Sequence, residues 1–326
     1  MMGPVRTWVP DLLTDFEQTV LPLRPEPEID PSEDLRAVLV RPQRRPETRA
    51  AVLYVHGWND YFFQRHLAEH WAEQGYAFHA LDLRRYGRSW SEGQLMGFTT
   101  DLGAYAEELD AAVELIMEDH DQLVLMGHST GGLVASLYAD SRPGRFTAVV
   151  LNSPWLDLQG SSLVRALGAP LVNALGGQRP TTVLPLPDAG FYKRALHASE
   201  GGEWDYDLSL KSTPSTPVRV GWLRAVLQGH ARIAAGLHID CPVLVLASTR
   251  TSFARRWSDE LTKADIVLDV EQIAARATRL GPHVTVVRIA DGMHDLVLSG
   301  APVRAKVFAE IDRWLSAYGP HDTFIE

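Results

Sequence analysis

The chain of 326 residues has a single cysteine, Cys241, so no internal disulfide can form. With Pro242 beside it at the start of an apolar run, Cys241 reads as a small buried side chain rather than a reactive thiol. No stretch approaches the roughly 18 continuous apolar residues that a membrane span requires. The opening residues, MMGPVRTWVPDLLTDFEQ, have no long apolar core and carry acids early, unlike a secretory leader. These absences predict a soluble, cytoplasmic protein with no transmembrane segment. Positive charge is also scarce: 31 Lys and Arg stand against 41 Asp and Glu, a net −10, which argues against nucleic acid as a partner. There is no Gly-rich phosphate loop and no ligand cluster of metal-binding spacing, so neither a cofactor nor a metal is expected. Internal repeats and low-complexity tracts are missing too.

What the chain does have is a series of short apolar runs. LRAVLV (35–40), AAVLYV (50–55), AFHALDL (77–83), LVLMG (123–127), TAVVLN (147–152), PVLVLAS (242–248) and VTVVRIA (284–290) read as strands, with FEQTVLPL (16–23) as an eighth at the edge. Most are apolar nearly throughout, the pattern of strands covered on both faces, and this indicates a parallel sheet flanked by helices. Residues 63–75, 99–120 and 301–319 carry helical spacing; in the second, Leu102, Tyr105, Leu109, Val113 and Ile116 mark one face. Strand–helix alternation from 50 to 152 predicts a doubly wound α/β fold with a mostly parallel, eight-stranded sheet. From Trp155 to His238 the rhythm stops, and prolines, glycines and aromatics sit among short helical stretches. That interval is too long for a crossover and reads as an inserted helical cap. The expected division is therefore core at 1–154, cap or lid at 155–238, and core again at 239–326.

GHSTG, from Gly127 to Gly131, sits between a strand and a helical pattern. A serine at so sharp a turn needs small neighbours, which Gly127, Gly131 and Gly132 provide. The turn would leave the Ser129 hydroxyl at the carboxyl edge of the sheet, where the next helix aims its first N–H groups at any developing anion. A serine hydroxyl needs a base to take its proton. Of the 12 histidines, His294 lies just past a strand in ADGMHD, at the same sheet edge as Ser129, whereas His283 precedes that strand. The base in turn needs an acid to fix its tautomer, and Asp259, Asp265 and Asp269 all lie in the long loop after 242–248. Spacing alone does not choose among them. For an oxyanion, the backbone N–H of Thr130 offers one donor, and that of Trp58 in HGWND (56–60) the other.

Together HGWND, DLRRYGRS (82–89), GHSTGG (127–132), NSPWLDL (152–158), ADIVLD (264–269) and DGMHD (291–295) resemble the α/β-hydrolase superfamily, and within it the monoacylglycerol lipase and lysophospholipase group, also described as serine aminopeptidase-like. The resemblance implies the α/β-hydrolase fold and a Ser-Asp-His triad of Ser129, Asp265 and His294. Asp265 is implied because the family places its acid first in an Asp-x-x-x-Asp stretch. This chain departs from the pattern with extra residues at about 249–263, which keeps Asp269 in play. DLRRYGRS matches a loop that is mostly structural, so Asp82 and Arg88 are not expected in catalysis.

The expected activity is cleavage of a carboxylic ester, with a small-molecule or lipid-like substrate and an acyl-enzyme intermediate. Acyl transfer or peptide cleavage by the same triad, or a slow-turnover ligand-binding member of the fold, are the alternatives. Aromatic and apolar residues of 155–238, among them Trp155, Phe191, Tyr192, Trp204, Tyr206 and Trp222, suggest an acyl pocket. Asp60 is placed to meet a hydroxyl of the alcohol.

Overall fold

A computed structural model describes residues 7–29, 34–158, 172, 175–186 and 188–320. Nine strands form one sheet in the order β1-β2-β3-β5-β4-β6-β7-β8-β9. β1 (Val9–Pro10), β2 (Phe16–Pro22) and β3 (Arg36–Pro42) make an antiparallel margin, and β3 is antiparallel to β5 (Ala77–Asp82). From β5 onward the pairing is parallel through β4 (Ala50–Val55), β6 (Gln122–His128), β7 (Ala148–Asn152), β8 (Val243–Ser248) and β9 (Val284–Ile289). All eight expected strands are present. The ninth, β1, is two residues long and ends on proline, too short to leave a periodic signal.

The apolar runs have the cause inferred for them. In β4, Ala51, Leu53 and Val55 enter one core while Val52 and Tyr54 enter the other, the alternation of a pleated strand buried on both faces. α1 (Arg65–Glu73), with Leu67 and Trp71, and the C-terminal helix cover one face. α2 (Ala106–Ile116) and α3 (Thr130–Asp140) cover the other through Leu109, Val113, Leu133 and Leu137. The helical pattern from 99 resolves into a 3-10 turn, Leu102–Tyr105, capped by Asp101, followed by α2.

Between β7 and β8 the described residues add no strand to the sheet; they include α4 (Phe191–Leu196) and α5 (Val220–Ala235). α5 buries Trp222, Val226 and Ile233 in the same core as α3. After β8 come α6 (Val270–Ala277) and, beyond β9, α7 (Ala301–Tyr318). No helix among the described residues is long and apolar enough to cross a membrane.

Asp82 and Arg88 have structural work. Asp82 accepts N–H bonds from Phe62 and Arg88, and the Arg88 guanidinium reaches Asp82, Asp11 and the Phe62 carbonyl. Arg84 is likewise held by Glu108, Glu107 and Glu26. These buried pairs tie the antiparallel margin to the loops that carry the site.

Candidate active site

Ser129 stands between the last residue of β6 and the first of α3, with φ 52° and ψ −118°. A non-glycine residue there carries backbone strain of order 1–3 kcal/mol, which neighbouring contacts must over-determine. They do so closely. The Ser129 N–H donates to the Asn152 carbonyl at 3.1 Å, and the Ser129 carbonyl accepts from Gly132, Leu133 and Trp155. A Cβ on Gly127 would come within 2.6 Å of the Gly131 carbonyl, and one on Gly131 would collide with the carbonyls of Val55 and His56. The glycines are therefore required by close approach of α3 to the ends of β4 and β6.

The loop after β9 brings His294 to the serine, with Nε2 3.0 Å from Ser129 Oγ. On the other side, His294 Nδ1 lies 2.9 Å from Asp265 Oδ2. An ionised carboxylate can only accept, so Nδ1 carries the proton and Nε2 offers its lone pair to the Ser129 hydroxyl. Asp265 is fully buried, and its Oδ1 accepts N–H bonds from Val267 and Leu268 at 2.8 and 2.7 Å. Asp269 does something else: it caps α6, accepting from Glu271 and Gln272 N–H. Asp259 begins an exposed 3-10 turn. The geometry thus separates three acids that spacing could not.

Thr130 is the first residue of α3, so its N–H has no partner within the helix. The HGWND loop runs against the serine, since a Cβ on Gly57 would sit 3.1 Å from Ser129 Cβ. His56 fixes that loop, with Nδ1 on the Gly57 carbonyl and Nε2 accepting from Leu83 N–H.

In front of Ser129 opens a cavity of about 730 Å³. Leu184, Leu186, Phe191, Phe253 and Ile266 give it apolar walls, and Asp60, Tyr192 and Lys211 a polar end. Phe191, Tyr192 and Tyr206 of the expected acyl pocket line it. Trp155 and Trp222 do not. Trp222 is buried with its ring tilted 3.8 Å from that of Trp58, which lines the cavity, and 5.9 Å from that of Trp155. Trp204 packs on His66 and donates to the Leu298 carbonyl.

The fold also assembles Asn152, His128, Asp295 and Lys211, to which the sequence assigned no role, and brings Asp60 in among them. Asn152 Nδ2 donates to Asp295 Oδ1 at 2.6 Å, and Asn152 Oδ1 accepts from Leu296 N–H. One side chain thereby joins the strand behind Ser129 to the loop of His294. Asp60, His128 and Asp295, distant in sequence, bring one donor atom each within 4.8 Å of one another. The Lys211 ammonium, 2.7 Å from Asp60 Oδ1, supplies positive charge there. Burial opposes ionisation of Asp295, yet His128, Lys211 and Asn152 together hold its carboxyl below the usual range. Burial also pushes the His128 imidazole below its ordinary value, against the pull of Asp295. NSPWLDL and DGMHD mark Asn152 and Asp295 as motif positions, whereas nothing near Lys211 forms a motif.

Comparison with known proteins agrees with this architecture. The family described as serine aminopeptidase, S33, matches residues 46–299. A monoacylglycerol lipase of Mycolicibacterium smegmatis is 32% identical over 114 residues, 33% of this chain and 40% of that protein. Phospholipase YtpA of Bacillus subtilis is 32% identical over 112 residues, 34% of this chain and 42% of the relative. The chain thus matches less than half the length of either. Among solved structures, the monoacylglycerol lipase of Paleococcus ferrophilus superposes with a TM-score of 0.63 at 20% identity, covering 84% of this chain and 96% of the other. A soluble variant of monoglyceride lipase from Saccharomyces cerevisiae, in complex with a substrate analog, gives 0.62 at 16% identity, over 98% and 97%. At such identities the structures speak to the fold alone. The family match is different in kind, because it runs from the turn before β4 to the residues beyond His294, and by it the chain belongs to the serine aminopeptidase, S33, family of α/β-hydrolases.

Proposed function

We propose that this chain hydrolyses monoacyl carboxylic esters of lipid-like substrates through an acyl-enzyme. The observation that carries the reading is the hydrogen-bonded line Ser129 Oγ–His294 Nε2, His294 Nδ1–Asp265 Oδ2 at the floor of a cavity with apolar walls. Ser129 Oγ attacks the ester carbonyl while its proton passes to His294 Nε2. Asp265 holds the tautomer and stabilises the imidazolium. The N–H groups of Trp58 and Thr130 take the tetrahedral oxyanion, and His294 returns the proton to the departing alcohol. Water then enters, gives a proton to His294 and attacks the acyl carbonyl, and the acid leaves as Ser129 recovers its proton. None of these steps calls on a cofactor.

In this reading residues 155–238 act as a lid whose Phe191, Tyr192 and Tyr206, with Leu184 and Ile266, receive the acyl chain. Asp60 Oδ2, buried with no hydrogen-bond partner, faces the alcohol and accepts from its hydroxyl. The names of the relatives, lipases and a phospholipase, support the same substrate class.

The test is kcat/KM across p-nitrophenyl esters from acetate to laurate. Each methylene buried against those walls contributes about 0.8 kcal/mol, close to a fourfold gain, until the cavity is full. A rise from acetate toward medium chains is expected. A steady fall from acetate would remove the lipid-like assignment and leave a short-chain esterase.

A further inference from the structure

Near the Ser129–His294 pair lies an ion pair, Asp60 and Lys211, whose cation the proposed chemistry leaves unused. Asp60, in the loop after β4, is 1% exposed. Lys211 arrives from the segment between α4 and α5, and its Nζ donates to Asp60 Oδ1 at 2.7 Å. The ammonium also lies 5.5 to 5.6 Å over the rings of Phe63, Tyr192 and Tyr206. So a cation from the β7–β8 connection is sunk among aromatic faces and one carboxylate of the core. Holding a lysine there has a desolvation cost that a surface residue would not meet.

What surrounds the pair gives it a consequence. His128 Nδ1 lies 3.1 Å from the Asn152 carbonyl, a pure acceptor, so Nδ1 carries the proton and Nε2 faces Asp295 Oδ2 at 4.0 Å. The His128 ring is 4.9 Å from that of His294. Asp60 and Asp295 thus cluster around His128, which is the neighbour of His294 on that side, with the Tyr192 ring at 5.8 Å and Asp265 as its further neighbours. Lys211 is the cation set among them. An unbalanced carboxylate here would keep the imidazole protonated and unable to take the Ser129 proton, and an unbalanced ammonium would do the reverse.

We propose that Asp60 and Lys211 form a positioning pair for the His294 base, fixing the segment around Lys211 to the core and balancing the charge beside the imidazole. The inference rests on the reading of Ser129 and His294 as nucleophile and base, and it gives the β7–β8 connection an electrostatic task besides covering the site. The pair acts through His294 and touches no reacting atom in doing so.

The experiment follows the His294 ring through a pH titration by NMR in substrate-free protein, its signals assigned by their loss in His294→Gln. Parent, Lys211→Met, Asp60→Asn and the double variant are compared. Removing Lys211 should tighten proton binding at His294 and removing Asp60 should loosen it, each on the order of tenfold. The double variant should return to within about threefold of the parent, as coupled partners do. Opposite signs that cancel are what a charge role demands; a packing role would move both variants the same way. Shifts of one sign, or none, overturn the proposal. If Lys211→Met does not fold, Asp60→Asn decides alone: a loosened proton supports the pair, and an unchanged or tightened one removes it. Fluorophosphonate labelling of the parent is run alongside. Its failure would count against the hydrolase reading and leave the titration result standing by itself.

Discussion

At the scale of single residues, the choice between Asp265 and Asp269 makes the sharpest prediction. Val267 and Leu268 N–H both donate to Asp265 Oδ1, so an asparagine there would keep its oxygen on those donors. Its amide NH₂ would then face His294 Nδ1, forcing the proton onto Nε2 and blocking the approach of the Ser129 hydroxyl. Asp265→Asn should therefore lower kcat by about 10⁴-fold with the fold intact, the loss typical of a triad aspartate made asparagine. Asp269→Asn should keep full activity and nearly full stability, since asparagine caps a helix as well as aspartate does. Ester turnover and circular dichroism on both variants check this; loss of turnover in the Asp269 variant alone would reverse the assignment. That Ser129 and His294 meet was legible because chain order carries a strand-turn-helix serine and a histidine after the last strand to one sheet edge. Asp265 and Asp269 share one loop and each accepts two backbone N–H bonds, so only the contact of Asp265 with His294 Nδ1 tells them apart. Lys211 left no sequence signal, because its role depends on a carboxylate some 150 residues earlier in the chain.

Elements were legible where burial imposes a pattern. Every core strand could be read because covering both faces demands apolar residues in sequence, and α1, α2 and α7 because covering one face demands every third or fourth. Between β7 and β8 the aromatics serve two destinations. Trp222 packs on Trp58 and Trp155, while Phe191, Tyr192 and Tyr206 reach the cavity, and composition cannot distinguish the two. The α3 helix shows how an element can position one atom. Its first turn lies so close to β4 that Gly131 has no room for a methyl against the Val55 and His56 carbonyls. Gly131→Ala must push α3 outward, at a cost of about 1–3 kcal/mol for overpacking, and carry Ser129 away from His294. Gly177, whose Cβ would meet nothing within 4 Å, is the control, and Gly177→Ala should stay within about 0.5 kcal/mol of the parent. Urea unfolding with parallel fluorophosphonate labelling rates measures both. Normal labelling in Gly131→Ala would mean that α3 tolerates the shift and that the elbow is less constrained than its contacts require.

For the whole molecule, the distribution of neutral buried histidines sets the response to acid. His79 in β5 is pushed down to about 3, chiefly by burial with His120 and Arg41 adding to it. His66 in α1 and His230 in α5 each fall to about 4, burial again outweighing the carbonyl bonds they make to Val297 and Trp155. Unfolded, all three would titrate near 6.5. Between that value and about 4, the unfolded chain binds more protons than the folded one, so stability rises with pH there and is lost as pH falls. Each group can weaken the folding equilibrium by about tenfold per pH unit across its window. Acid destabilisation should then begin just below neutrality, well above the carboxylate range. The net charge of −10 works the other way, because acidification relieves self-repulsion. That repulsion is spread over the surface and screened beyond roughly 8 Å at physiological salt, whereas the histidines are buried and escape screening. At such salt the urea midpoint should fall steadily from pH 7.5 to 5, and His79→Asn should make the fall shallower by one proton's worth. A midpoint that stays level over that range would mean the imidazoles take up protons in the folded state, and the burial assigned to His66, His79 and His230 would have to be relaxed.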